Sequence, residues 1–497
     1  MPPWPWRSCG PAPSPPSCGH RSIPSPGCCL PICSPPGWDQ CSTGGICRDS
    51  ACAPIRRYWR CWRSRPPHNP RRRSADSLAA SCRADPWSCN VPYCAILGYL
   101  TPKLIDEYAA GRPDAVGYAY AVNVLGCVVG PLFASYFLLP ALGVQWASLA
   151  LALPFLLLAT WSLLAERRGA NPGAPMSRTA WGAWGTAILC GILAATIGTS
   201  FEDRLAAGGA KVLRDHTATV IAIDDEGHKD LLVNGMLITA ITPSTKLMAH
   251  LPLSQLAHEP KSALVICFGM GTTYRSMLSW GIDVTAVELV PSVRDAFGVF
   301  FDDAEQVRNN PRGRIIIDDG RRFLRRTDER FDVITLDPPP PVEAAGSSLL
   351  YSREFYQLVK PRLTEGGILQ QWYPGGDLKT FQALVHSVSL EFPHVRVTRA
   401  FDNWGYHILC SMQPIPERTP QQLFERLPDA ARRDLVEWTP QNTGEALLNG
   451  VISNRYRPVD IVPSDFAPTI TDDHPYNEYY LMRRLWELWS TSYTIVL

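Results

Sequence analysis

A chain of 497 residues is long enough for two or more domains. Its formal net charge of +1 leaves no global field to draw it to polyanions, which excludes a charge-driven nucleic-acid binder. The hydrophobic fraction of 46% is ordinary as an average, but it is spread unevenly over three zones.

Residues 1–90 contain no Lys, Glu, Val or Phe and are crowded with Pro, Ser, Arg, Trp and Cys. Without Val and Phe there is little to build a core from. Most of the 16 cysteines lie here, at irregular spacings that match no repeated metal or disulfide pattern. The segment is expected to be disordered or mistranslated, with reading from a wrong frame or a misplaced start preferred over a cysteine site. It lacks the basic start, apolar core and cleavage site of a signal peptide.

Residues 91–201 are membrane-like. No charged side chain occurs from 115 to 165, and about 20 apolar residues suffice to span a bilayer. Two spans are predicted, at 116–142 and 146–164, with Pro140 and Gly143 marking the turn. A third, weaker span is predicted at 181–199. The expectation is a multi-pass protein in contact with membrane lipid. Arg167, Arg168 and Arg178 would hold the second loop in the cytoplasm. A cytosolic cofactor favours a cytoplasmic soluble domain, and the two arguments conflict if the third segment crosses.

From Phe201 onward the chain reads as charged and globular, with parts at 202–260, 261–415 and 416–497. Alternating stretches at 218–223 and 230–233 flank Asp225-Glu-Gly227 and predict a β-hairpin, and Asn234-Gly235 predicts a further turn. A helix at 247–256 leads into strands that alternate with helices. That alternation predicts a doubly wound, Rossmann-like α/β domain with a methyltransferase-like sheet.

Four strand-end signals follow one another. LVICF at 264–268 runs into Gly269-Met-Gly271. The run from Asp283 ends on Glu288, the run from Arg314 ends on Asp318 and Asp319, and the run from Phe331 ends on Asp337 before four prolines. A parallel sheet buried on both faces presents ligand groups at this carboxyl edge. Gly269 and Gly271 admit close backbone approach. Glu288, about 20 residues on, sits where an acid grips a ribose diol. Asp318 and Asp319 stand where a side chain can bond an adenine amino group. The glycine motif is incomplete and no phosphate-cradling helix start is evident, so an S-adenosylmethionine-type cofactor is expected rather than a dinucleotide. Asp337 is the candidate catalytic residue, placed to orient or deprotonate an attacking amine. No metal is expected.

At these residues the chain resembles the spermidine/spermine synthase (polyamine aminopropyltransferase) family, and more closely its membrane-fused bacterial members. The motifs are YAYAVN at 118–123, LVNG at 232–235, CFGMGTT at 267–273, DDGRR at 318–322, LYSREFY at 350–356 and TDDHP at 471–475. The resemblance implies transfer of an aminopropyl group from decarboxylated S-adenosylmethionine to an amine, in a bacterial inner membrane. It also implies that Glu288 holds the ribose, that Asp319 holds the adenine, and that Gly269 and Gly271 flank the cofactor tail. A homo-oligomer is compatible with it.

Departures bear on the acceptor. Pro338 to Pro341 replace a second Asp, Ser244-Thr245-Lys246 replace a Tyr-His-Glu, and Thr239 stands near a Gln position. Losing acids and gaining Lys246 argues against a polycationic acceptor, whose pocket should be acidic. Lys246 and residues 471–478 are expected near that pocket. Alternatives are a methyltransferase acting on an amine and a non-catalytic nucleoside-binding membrane protein.

Overall fold

The computed structural model describes residues 98–99, 101–169, 201–225, 227–337 and 342–486, all within the unit Pro70–Leu497. The segment 1–90, the third predicted span and the four prolines after Asp337 lie outside the described residues.

Helix α1, Pro113–Phe133, starts on a proline and continues through a π-helical turn, Ala134–Leu138, into α2, Leu139–Gly169. Gly143, at φ 70° and ψ 174°, breaks the backbone where the sequence predicted a turn. Among the described residues one run, Pro113–Pro154, is long and apolar enough to cross a membrane. The multi-pass expectation is therefore not supported. That run includes the break at Gly143. Large apolar side chains along it, such as Leu125, Val128 and Phe137, are exposed.

After α3, Phe201–Ala207, four antiparallel strands form a meander: β1 Lys211–Arg214, β2 Thr219–Asp225, β3 His228–Val233 and β4 Met236–Ala240. β2 and β3 pair antiparallel, with Asp225 opposite His228. Asn234 and Gly235, both at positive φ, join β3 to β4, as a tight hairpin loop requires. Helix α4, Pro243–Gln255, then crosses to the main sheet.

That sheet holds β5 Ser262–Ile266, β6 Asp283–Glu288, β7 Gly313–Ile317, β8 Phe331–Leu336, β9 Leu363–Tyr373, β10 His394–Arg399, β11 Tyr406–Ser411 and β12 Arg455–Tyr456. Their order is β12-β10-β11-β9-β8-β5-β6-β7. The five strands from β9 to β7 are parallel, and β11, β10 and β12 extend the sheet antiparallel. The chain leaves β5 in one direction through β6 and β7 and returns on its other side as β8. Loops diverge between β5 and β8, and such a switch point opens a crevice for ligands.

Alternate residues feed two cores. Ala263 and Val265 of β5 pack into one cluster, while Leu264 and Ile266 pack into the other. This is the period of two expected of a sheet covered on both faces. α5 Thr272–Leu278 and α6 Pro291–Phe300 cover the first face. α7, Ala304–Arg308, follows α6, and α8 Gly320–Arg326, α9 Arg353–Val359 and α10 Leu378–Glu391 supply the second core. The last segment adds α11 Pro420–Glu425, α12 Asp429–Val436, α13 Gly444–Ile452 and α14 Pro458–Ile461. Leu423, Leu435 and Leu448 of this segment enter the first core beside α4.

Candidate functional site

The four predicted strand ends converge at the switch point. β5 stops at Ile266, and the turn that follows has Cys267, Gly269 and Gly271 all at positive φ. At Gly269 a Cβ would meet nothing nearer than Thr239 Cγ2 at 3.7 Å, so backbone conformation is what the glycine supplies. At Gly271 a Cβ would lie 2.5 Å from Phe297 and 2.7 Å from Phe268, so packing forbids any side chain. α5 starts at Thr272 with Gly271 at its N-cap position. A helix thus follows the glycines, with no side chain capping its start.

Glu288 ends β6 and is 7% exposed. Its Oε2 accepts from the Phe268 N–H and its Oε1 from the Val290 N–H, both at 2.9 Å. Burial raises its pKa against the pull of these backbone donors. The carboxylate thus holds the glycine turn in shape, and a carboxylate has roughly four acceptor positions, so it keeps capacity for further donors. Asp318 Oδ1 accepts from the Asp319 N–H at 2.7 Å and pairs with Arg322. Asp319 caps α8, its Oδ1 accepting from the Arg322 N–H at 2.7 Å. The charges of Glu288, Asp337 and Asp319 all act on the Cys267 thiol, which burial and those acids raise well above its ordinary pKa. Acids from three strand ends therefore act on one residue. Nothing in the sequence signalled Cys267, because a non-glycine residue in the left-handed region leaves no local mark.

Asp337 follows β8, and its N–H donates to Ile266 O at 3.3 Å, tying it to the end of β5. Burial pushes its carboxyl up to about 7. Among the described residues none hydrogen-bonds or pairs with that carboxyl group. It faces a pocket shared with Ile238, Thr239, Ser244, Met248, Trp372 and Trp404. The two indoles meet edge to face, 6.4 Å between centroids. Both tryptophans were missed by sequence reasoning, since they come from β9 and the β10–β11 turn and only the sheet brings them to Asp337.

Lys246 is not in the pocket. Its side chain is fully buried on the far side of α4. Its Nζ donates to Asp434 O at 2.6 Å, to Asp434 Oδ1 at 3.0 Å and to Glu437. It also lies 4.1 Å from the centre of the Trp438 ring. Arg275, His250 and Ser276 complete the cluster around Asp434. A cation so neutralised presents no field to the pocket, which removes the argument that Lys246 repels a polycation. Residues 471–478 do not line the pocket either. Asn477 donates to Val342 O at 2.7 Å, and Glu478 accepts from the Ser348 N–H at 3.0 Å, so they brace the loop beyond Asp337. No group of metal-ligating side chains occurs among the described residues.

Residues 242–400 match the family model of the spermine/spermidine synthase domain. A polyamine aminopropyltransferase of Sulfurisphaera tokodaii is 30% identical over 36% of this chain and 63% of its own length. One from Thermococcus kodakarensis is 32% identical over 32% of this chain and 52% of its own. The chain thus spans less than two thirds of either relative. A solved spermidine synthase in complex with the transition-state analogue AdoDATO aligns with a TM-score of 0.40 at 18% identity, over 50% of this chain and 85% of that one.

Proposed function

Because residues 242–400 belong to the spermine/spermidine synthase domain family, we propose that the chain is an aminopropyltransferase using decarboxylated S-adenosylmethionine as donor and a small amine as acceptor. The observation that carries this reading is Asp337: a carboxyl group with its pKa near 7 and no described cation, at the floor of a pocket that adjoins the glycine turn. A base poised near neutrality is suited to take a proton from an ammonium or amine.

In this reading Glu288 accepts hydrogen bonds from the ribose hydroxyls, Gly269 and Gly271 flank the donor's tail, and Asp318 and Asp319 border the adenine. The acceptor nitrogen forms a C–N bond to the aminopropyl carbon as the C–S bond breaks. The sulfur leaves with the electron pair as a neutral thioether, and Asp337 takes the nitrogen's proton. The departing sulfonium supplies the driving chemistry, so the protein needs to position and deprotonate. The run Pro113–Pro154 supports anchoring in a membrane.

Calorimetric titration of the full chain with decarboxylated and intact S-adenosylmethionine, followed by mass analysis of products, tests the proposal. Preferential binding of the decarboxylated form and aminopropyl transfer are expected. Methyl transfer from the intact form would replace this reading with that of an amine methyltransferase, and binding without product would replace it with that of a nucleoside sensor.

A further inference from the structure

The buried carboxylate of Asp434 gathers four side-chain donors from two helices. Its Oδ1 accepts from Lys246 Nζ at 3.0 Å and from Arg275 Nη1 at 2.9 Å. Its Oδ2 accepts from His250 Nε2 at 2.8 Å and from Ser276 Oγ at 2.6 Å. Each oxygen therefore takes one donor from α4, which carries Lys246 and His250, and one from α5, which carries Arg275 and Ser276. Through this one side chain α12 holds both helices. Asp434 lies outside residues 242–400, which match the family model, while all four donors lie inside them. The clamp is thus supplied by the C-terminal segment.

Both clamped helices run to the pocket. α4 contributes Ser244, Thr245 and Met248 to the wall around Asp337. α5 begins directly after the glycine turn, with Gly271 at its N-cap position. The first turns of the two helices meet, where Thr273 Oγ1 donates to Thr245 O at 3.0 Å. Buried charge is a poor means of stabilisation alone, since apolar side chains of similar volume often serve as well. Charge-assisted hydrogen bonds add direction. Four of them on one carboxylate fix the distance and angle between the helices that donate them. Such alignment matters to a reaction between two ligands, because a misplacement of about 1 Å can cost roughly a hundredfold in rate.

We propose that Asp434 is a positioning residue that sets α4 against α5, and with them the alignment of amine and donor. This rests on the aminopropyltransferase reading, in which α4 borders the acceptor and α5 follows the turn that flanks the donor. Asp434 itself does not line the pocket. The glycine turn keeps its shape without Asp434, because Glu288 holds the Phe268 and Val290 N–H groups. Loss of Asp434 therefore spares nucleoside binding and falls on the transfer step.

The test uses the full chain, with 5′-methylthioadenosine as nucleoside probe, decarboxylated S-adenosylmethionine as donor and 1,4-diaminobutane as acceptor. Asp434→Asn sets an amide N–H group against two of the four donors. It should lower kcat at least tenfold, counted per nucleoside-binding site in calorimetry so that unfolded chains do not enter the rate. Nucleoside affinity should change less than about threefold, and the apparent pKa of the rate profile should stay at the parent's value. Ser276→Ala removes one α5 donor and strands no charge, so it provides a folded variant if Asp434→Asn does not fold. It should lower kcat about threefold in the same manner. Parental kcat per nucleoside-binding site in the folded variants, with lowered unfolding midpoints, would make the cluster a stabiliser alone and overturn the proposal. A parent chain that binds the nucleoside and transfers nothing would overturn the transferase reading, and the alignment with it.

Discussion

Lys246 and Asp434, 188 residues apart in the chain, meet through a 3.0 Å hydrogen bond inside the protein, with the lysine side chain wholly buried. Trp280 donates to His250 Nδ1 at 2.9 Å, which leaves His250 Nε2 to donate to Asp434 Oδ2 at 2.8 Å. The cluster joins α4, whose first turn forms the pocket wall, to α12 of the C-terminal segment.

Removing one member leaves buried charge unanswered. Lys246→Met should cost about 3 kcal/mol, the low end for a broken buried pair, because Arg275 still answers Asp434. Glu437→Gln, at a more exposed position, should cost less than about 1 kcal/mol. Denaturant midpoints followed by tryptophan fluorescence would show the order. Asp434 has its pKa lowered, with His250, Lys246 and Ser276 outweighing burial. Its contribution is therefore present above the unfolded carboxylate pKa and lost as pH falls through the lowered folded value. Asp434→Asn should accordingly flatten the acid limb of the stability curve.

Asp337 behaves in the opposite sense. Its folded pKa is raised from 3.8 to about 7, so the folded state holds the proton longer than the unfolded chain. Stability from this group is greatest at low pH and declines between the two values, by about 1.4 kcal/mol per pH unit at most. Asp337→Asn should be more stable than the parent at pH 8 and no more stable at pH 4. The same variant should lose transfer activity, and the parent's rate should rise with an apparent pKa near 7. A pH profile centred near 4 would contradict the assigned base.

Glu288 carries two roles that separate by substitution. Glu288→Gln keeps an oxygen acceptor for one backbone N–H and turns the other oxygen into a donor that faces one. It should weaken nucleoside binding at least tenfold and lower the unfolding midpoint. Glu288→Ala leaves both the Phe268 and Val290 N–H groups unmet and should do more of each, since an unmet buried donor costs about 1–3 kcal/mol. Equal nucleoside binding by both variants and the parent would remove Glu288 from the ribose site.

The two glycines should respond unequally. Gly269→Ala meets only an ordinary contact with Thr239 and carries the cost of left-handed backbone alone, about 1 kcal/mol. Gly271→Ala adds a clash with Phe297 and Phe268 and should cost about 3 kcal/mol. Thermal midpoints of the two variants, measured side by side, check the order.

Much of the fold was legible because the residues that specify it are local. LVICF at 264–268 and the run ending on Glu288 are short, apolar and β-branched, and each stops at a polar or glycine residue where a strand must. Asn234-Gly235 marks a turn through the conformations those two residues tolerate. The two-residue β12, the edge strand β1 and the C-terminal helices were not legible, since their apolar faces gain meaning only against α4 and the sheet. The apolar run through α1 and α2 was legible in composition, and the backbone break at Gly143 falls where Pro140 and Gly143 marked a turn.

By itself, then, the sequence determined a parallel sheet and the four strand ends that bear Gly269, Glu288, Asp319 and Asp337, because backbone preference and side-chain period act over a few residues. Only the tertiary structure decided which charges the pocket feels. It turned Lys246 away into a buried cluster and left Asp337 facing the pocket beside Trp372 and Trp404. Electrostatics depends on distance and burial in three dimensions, and neither is written in the spacing of residues along a chain.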